Sequence, residues 1–512
     1  MSFHSILDLH DPIGRPTGAP AHFHDLNLDQ IVAAVATGRE EYDLTPFFCR
    51  PLDDLAGIGY RQEIMQDLER PELFEPIAAF AGQMRETRSH SQAAEQAYYG
   101  WHKNGWLLDA TAIYCAALPR LEAALAAGAP QSSGLCEFRH WLTDHIGGAD
   151  FLGLTADTER IKADLAAVRY ALVLRGLAVT VRKYQEEIDY SAEIEQVFAK
   201  FRQGDVSDYL VKFQEYPGAG HVEAQIVDQL AKLYPEIFTF YQEYCDRNRN
   251  FIDPMIVRFA NEVQFYIAYL QYIGRLKAAG LPFCYPKLVQ QATAVHGTDT
   301  FDLALAAKLA TDGGNVVLND FRLEGEERVL VISGPNQGGK TTFARTFGQL
   351  HYLASLGCPV PGRDAQLLLC DRILTHFEKE ESVESLRGKL QDDLLRIHDV
   401  LAQATPRSLI IVNEIFSSTA LEDAVFLATE VVKRVMALGC LCVCVTFLDE
   451  ISALGPSVTS MVSTVDPDDP ARRTFKLVRR PADGRAYAMA IAEKYRLTYR
   501  SVKERLALAK PC

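Results

Sequence analysis

The sequence predicts an α/β nucleotide-binding domain over residues 298–512, preceded by a mainly α-helical region over 51–297 and a short N-terminal segment, 1–50. Three observations carry that prediction. Apolar residues recur every three or four positions from Pro51 to about Lys287, the period of amphipathic helices. After Gly297 the pattern turns into short, continuous apolar runs, as in strands buried on both faces of an α/β sheet. Between one such run and a helical stretch lies GPNQGGKTT, which satisfies G-x-x-x-x-G-K-[ST].

In the helical region the clearest periodic stretches are LDDLAGIGYRQEIMQDLE, LPRLEAALAAG, ERIKADLAAVRYALVLRG and PMIVRFANEVQFYIAYLQYIGRLKAAG. Helices this long bury their apolar stripes against one another. Two segments, GGADFLGLTADT from Gly147 and YPGAGHV from Tyr216, have the Gly, Pro and Asp content of turns.

Beyond Gly297 the candidate strands are RVLVISG, LLLCDRILTHF, SLIIVNEI, CLCVCVTF and TFKLV. The glycine-rich loop follows the first of them and precedes FARTFGQLHYLASLG, a helical stretch. In that context the backbone N–H groups of Gly334, Pro335 to Gly339 (Asn336, Gln337 and Gly338 between them), Lys340, Thr341 and Thr342 form a phosphate cradle at a helix N-terminus, although Pro335 itself has no N–H to offer. Lys340 reaches the β- and γ-phosphates and the Thr341 hydroxyl takes Mg²⁺, so the ligand predicted is ATP with Mg²⁺. A carboxylate at the end of the next inner strand can orient and deprotonate an attacking water; Glu414, after the apolar run Leu409 to Val412, is the candidate general base.

Composition narrows the alternatives. The 512 residues carry no apolar run of 18 or more and no basic-then-apolar N-terminus, so neither a membrane span nor a secretory signal is predicted, and the expected location is cytoplasmic. Eleven cysteines without metal-type spacing read as reduced, mostly buried thiols; Cys440, Cys442 and Cys444 alternate and fall on one face of a strand. The net charge of −15 is unevenly spread. From residue 301 onward 26 Lys and Arg face 27 Asp and Glu, a net of −1, leaving 26 against 40, or −14, for the first 300. An acidic half is a poor general surface for nucleic acid, whose phosphates are held by Lys and Arg. The densest basic cluster is Arg472, Arg473, Lys476, Arg479, Arg480 and Arg485, which also reads as the solvated face of an alternating strand.

The order and wording of these segments resemble the ATPase domain of the MutS family over essentially all of 301–512. GPNQGGKTT is similar to that family's GPN-x-GGK-[ST]-[ST] loop, SLIIVNEIFSSTALEDA to its acidic-pair strand, CLCVCVTFLDEISAL to the strand it ends in ATH, and GRAYAMAIAEKYRLTYRSVKERL to its closing segment. PLDDLAGIGYRQEIMQDLE and FIDPMIVRFANEVQFYIAYLQYIGRLKAAG resemble, more loosely, the family's core and lever helices. The resemblance implies a P-loop NTPase domain of the MutS/ABC type. It further implies a homodimer closed through the ATPase domains, with Ser417 to Thr419 at the interface or capping a helix, and a helical lever that acts on DNA in repair or recombination.

Three departures stand out. Where the family has an aspartate that helps hold Mg²⁺ this chain has Asn413, and where it has a switch histidine this chain has Phe447. The position of its trans-acting serine falls near Ser385 and Gly388. These changes leave ATP binding intact and imply slow hydrolysis. No Phe-x-Glu occurs in the 50 residues before the helical core, so mismatch reading by an aromatic wedge is not expected. The alternative is an ATP-gated switch that holds a protein partner on the acidic helical half without contacting DNA. A transporter-type ATPase would need an LSGGQ-like signature, which SVESLRGKLQDD does not supply.

Overall fold

The computed structural model describes residues 3–9, 18–176, 178–186, 220–291, 294–378, 388–469, 472–482, 498–500 and 502–503. By its internal contacts the chain divides into two units: Met1–Phe3, Pro71–Pro130 and Leu135–Ala260 form one, and His4–Arg70, Gln131–Gly134 and Asn261–Cys512 the other.

The first unit is built on two long helices, Pro71–Gln96 and Gly100–Gly128, joined by three residues and therefore returning antiparallel. Gly128 lets them close: a Cβ there would lie 2.5 Å from Leu73 Cδ2. Helices Ala149–Ala167, His221–Leu233 and Pro235–Arg247 add a core of Leu107, Leu108, Ile161, Leu230, Phe238 and Tyr244. The expected turn at Gly147 shrinks to Gly148 alone, which caps the helix that ADFLGLTADT enters. One expectation is corrected. RYALVLRG does not continue that helix; Tyr170–Arg175 pairs antiparallel with Ala178–Lys183, the first strand being followed by Gly176 at φ +62°. Its alternation of Tyr, Leu and Val suits a strand as well as a helix, and the turn chemistry decides.

In chain order, the longer strands of the second unit are β1 (Ala294–Thr300), β2 (Asn319–Glu324), β3 (Val329–Ser333), β4 (Asp364–Leu368), β5 (Ile373–His376), β6 (Leu409–Asn413), β7 (Leu441–Val445), β8 (Val458–Val465) and β9 (Arg473–Arg479). Helix α1 (Lys340–Ser355) follows β3, α2 (Lys389–Gln403) follows β5 and α3 (Leu421–Leu438) follows β6. The larger sheet has the order β5-β6-β7-β3-β8-β9, parallel through β8, with β9 antiparallel at the edge. Val331, Ile410, Val412, Cys442 and Cys444 on one face pack against Ile397 and Val400 of α2 and Ala428, Val431 and Val435 of α3. The three alternating cysteines are thus core residues, as their spacing suggests. Helix α1 covers the other face, where a Cβ on Gly348 would lie 2.7 Å from Ile411 Cδ1.

The run LLLCDRILTHF, expected as one strand, divides at Asp371. Its first part is β4, which joins a second sheet with Lys287–Val289, β1 and β2, and its second part is β5 of the larger sheet.

The N-terminal segment belongs to this unit too. Along α1, Arg345 Nε donates to Asp25 O (2.9 Å), Gln349 Nε2 to Leu26 O (2.9 Å) and Tyr352 Oη to Phe48 O (2.6 Å). Helix Leu55–Leu68, capped by Asp54 accepting from Gly57 N, sends Arg61 Nη1 to Leu356 O at 3.2 Å. Every residue from Thr346 to Ser355 is consequently buried. The boundaries between the two contact units fall at 3/4, 70/71, 130/131, 134/135 and 260/261, the N-terminal segment being grouped with the unit that holds α1. Among the described residues no helix is long and apolar enough to cross a membrane.

Candidate functional site

The loop leaves the end of β3, beside the centre of the parallel sheet, and opens at the first turn of α1. Its shape needs glycine. Gly334 and Gly339 have φ of +115° and +89°, conformations that side chains strain. Gly338 is required for space: a Cβ there would meet Ser463 Oγ at 2.5 Å and Pro335 O at 2.9 Å. Helix α1 begins at Lys340 with Gly339 as its N-cap and no side chain bonding its first N–H groups, which leaves the positive end of a 16-residue helix facing the loop.

Lys340 folds back into the loop, its Nζ donating to Gly334 O at 2.8 Å and Asn336 Oδ1 at 3.3 Å and lying 3.9 Å from Glu414 Oε1. Only 4% of it is exposed. Burial lowers its pKa first, the Glu414 carboxylate opposes that shift, and Arg473 adds to it. A cation so placed is held by neutral oxygens and one carboxylate, a geometry ready to exchange for phosphate oxygens.

The sheet end supplies the rest. Thr341 Oγ1 donates to Asn413 Oδ1 at 2.9 Å, so the two residues predicted for the metal are brought together. Glu414 follows with φ +54°, an uncommon conformation for a non-glycine, pinned by its N–H donating to Val445 O at 2.9 Å. That turn carries the carboxylate off the strand and toward Lys340. Phe447, at the end of β7, is 49% exposed; the preceding Thr446 is tied to Ile332 O through its N–H and accepts from Leu448 N.

A cavity of about 630 Å³ extends from the loop. Asn336 to Thr342 and Glu414 line one end, and Leu305, Leu309, Val317, Phe343 and Phe475 form an apolar wall. A volume of this order suits a nucleotide-sized ligand with a charged and an apolar part. Sequence reasoning found the polar end and missed the wall. Asn319 is the organiser it had no means to see: its Oδ1 accepts from Leu477 N (2.8 Å) and its Nδ2 donates to Phe475 O (3.1 Å), holding Phe475 at φ +57° beside Gly339. Ser463 beneath the loop was missed for the same reason; neither belongs to a local motif.

Other expectations resolve variously. Ser417 and Ser418 are exposed, and α3 is capped by Ala420 with no side-chain bond, so the run Ser417 to Thr419 does not cap that helix. Most of the basic cluster is locally engaged: Arg472 with Asp466, Lys476 with Leu318 O and Asp320, Arg479 with Glu327, as a strand face would be. Arg473 is different, since its Nε donates to Asn336 O of the loop at 3.2 Å. Ser385 and Arg485 lie outside the described residues. No group of three or more His, Cys, Asp or Glu among the described residues could form a separate metal centre.

A parallel sheet with a glycine-rich strand-to-helix loop, a buried lysine in that loop and a polar strand end opposite it define an α/β domain built to hold an anionic ligand. Residues 330–507, about a third of this chain, match the family model of MutS domain V. Over 192 residues the chain is 28% identical to the endonuclease MutS2 of Gemmatimonas aurantiaca, covering 37% of this chain and 23% of that protein. It is 30% identical over 185 residues to the DNA mismatch repair protein MutS of Shouchella clausii, with 35% and 21% covered. To the endonuclease MutS2 of Thermus thermophilus it is 30% identical over 196 residues, with 38% and 26% covered. The matched part thus spans only about a fifth to a quarter of these relatives.

Proposed function

We propose that this chain is a P-loop ATPase that binds MgATP between the loop Gly334 to Thr342 and the wall formed by Leu305, Leu309, Val317 and Phe475, and hydrolyses it slowly. The observation that carries this reading is the single cavity in which a cationic, amide-rich loop and an apolar wall face one another. Phosphates take the place of the oxygens now on Lys340, and the base takes the apolar end. The donors for Mg²⁺ are the Thr341 hydroxyl and the Asn413 amide oxygen, a hard-oxygen set that suits the ion but lacks a carboxylate, so it holds the cation less firmly. Glu414 is the general base for the attacking water.

At the level of the whole molecule, the MutS relatives favour a dimer closed through the ATPase domains that acts as a nucleotide-gated clamp on DNA, in mismatch repair or recombination. Differential affinity of ATP for the closed form is the driving term. The net charge of −14 on the first 300 residues favours a second reading, in which the same gate holds a protein partner. Nucleotide titration of the full chain tests the first step: Lys340→Ala should weaken ATP binding by about a hundredfold or more, and unchanged affinity would move the site elsewhere. Gel shifts with duplex, mismatched and branched DNA at low salt, with and without ATP, separate the two readings; absence of ATP-sensitive binding to all three leaves only the protein switch.

A further inference from the structure

The edge strand β9 brings a second cation to the loop. Arg473, its first residue, donates from Nε to the main-chain oxygen of Asn336 at 3.2 Å, while the Asn336 side chain accepts from Lys340 Nζ at 3.3 Å. Two cationic side chains therefore hold one loop residue from two directions. The strand fixes Arg473 there. Thr474 Oγ1 donates to Thr464 O at 2.9 Å, and Asn319 clamps Phe475 one residue further on. The Arg473 charge reaches the Lys340 ammonium as well, adding to the effect of burial in lowering its pKa.

Opposite this reinforced side, the strand-end oxygen that accepts from Thr341 is the neutral amide of Asn413, the Glu414 carboxylate lying toward Lys340 instead. The site is thus stronger in fixed positive charge and weaker in metal ligation than a loop with one lysine and an acidic strand end. A guanidinium carries five N–H donors in a rigid fork and can hold a carbonyl and a phosphate oxygen at once.

We propose that Arg473 is a phosphate-binding residue of this site, contacting the terminal phosphate of a nucleoside triphosphate from the β9 side and taking over charge neutralisation that a more firmly held divalent cation would otherwise provide. This rests on the loop being the nucleotide site. It follows that ATP binding depends less on Mg²⁺ than the loop motif alone implies, and that Arg473 discriminates ATP from ADP.

Titrations of the full chain with fluorescent ATP and ADP analogues, in Mg²⁺ and in EDTA, test this with wild type, Arg473→Ala, Arg473→Lys and Lys340→Ala. The expected result is that Arg473→Ala weakens ATP about tenfold in EDTA and less in Mg²⁺ while changing ADP no more than about twofold, with Arg473→Lys in between. Equal losses for ATP and ADP would reduce Arg473 to a residue that positions Asn336, and unchanged ATP affinity in both Arg473 variants would remove it from the site; either result overturns the proposal. Melting curves verify folding, and Arg473→Lys carries the test should the alanine variant fold poorly. Lys340→Ala serves as the independent control: if it still binds both nucleotides, the loop reading itself fails, whatever Arg473 does.

Discussion

On the loop side of the candidate site, Gly334, Gly338 and Gly339 are each dictated by backbone conformation or by lack of space, Lys340 is buried among loop oxygens, and α1 presents its bare N-terminus. On the sheet-end side, Glu414 is held in an uncommon turn, but the residue before it is an amide, Asn413, and β7 is followed by a half-exposed ring, Phe447. The first side contains every group needed to hold a polyphosphate. The second contains one carboxylate and little around it to stabilise the charge that develops as a phosphate bond breaks. On the proposed function, affinity and turnover accordingly rest on different atoms, and substitutions can separate them.

The sharpest break comes on the loop side. Gly338→Val places side-chain atoms where Ser463 Oγ and Pro335 O already lie, so the loop must move; ATP binding measured by calorimetry should fall by about a hundredfold or more, with the melting temperature of the chain little changed. Binding close to wild type would mean that the loop adapts and is not the rigid cradle described. On the other side, Glu414→Gln should reduce steady-state phosphate release by about a hundredfold while leaving ATP affinity within about threefold. Equal turnover would take the general base away from Glu414.

A gain of function sharpens the contrast. Asn413→Asp restores a carboxylate next to Thr341 Oγ1 and should raise Mg²⁺-dependent turnover by about tenfold, read from the Mg²⁺ dependence of the rate. If it slows the enzyme, the amide is itself adapted to this site. The smallest effect concerns stability. Burial lowers the pKa of His22 and of His351, which lies within α1, from 6.5 to about 4. A base whose folded pKa is depressed contributes stability above its unfolded pKa and loses it as pH falls, here between about pH 6.5 and 4. Thermal melts should show the chain losing stability across that window, and His351→Gln should flatten the slope; an unchanged slope would show that other groups set it.

The legible part of this molecule was the part with local chemistry. GPNQGGKTT announces its loop because one short segment must satisfy turn, space and charge together, and the apolar run from Leu409 announces the strand that ends at Asn413. The apolar wall was invisible because Leu305, Val317 with its near neighbour Asn319, and Phe475 come from three separate segments that the fold brings together. Strand β1, AVHGTDT, escaped because it mixes small and polar residues, although it is an inner strand paired on one side with β4 and on the other with β2. The hairpin from Tyr170 was misread since a run of Leu and Val satisfies both periods, and only the turn at Gly176 breaks the tie. Arg473 was seen merely as one charge in a basic stretch; its distinction lies in the hydrogen bond it gives to Asn336 O across the fold.

The clasp of the N-terminal segment on α1 has a practical meaning for excising the α/β portion. A fragment cut at residue 298, where the sequence pattern changes, would leave Phe347, Leu350, Tyr352 and Leu353 without the cover of Phe23, Leu26 and Phe48, and Gln349 and Tyr352 without their carbonyl acceptors. Such a piece would present an apolar helix to water and aggregate. Residues 18–70 and 261–297 must travel with it, so the inheritable unit that carries the proposed nucleotide site is discontinuous in sequence.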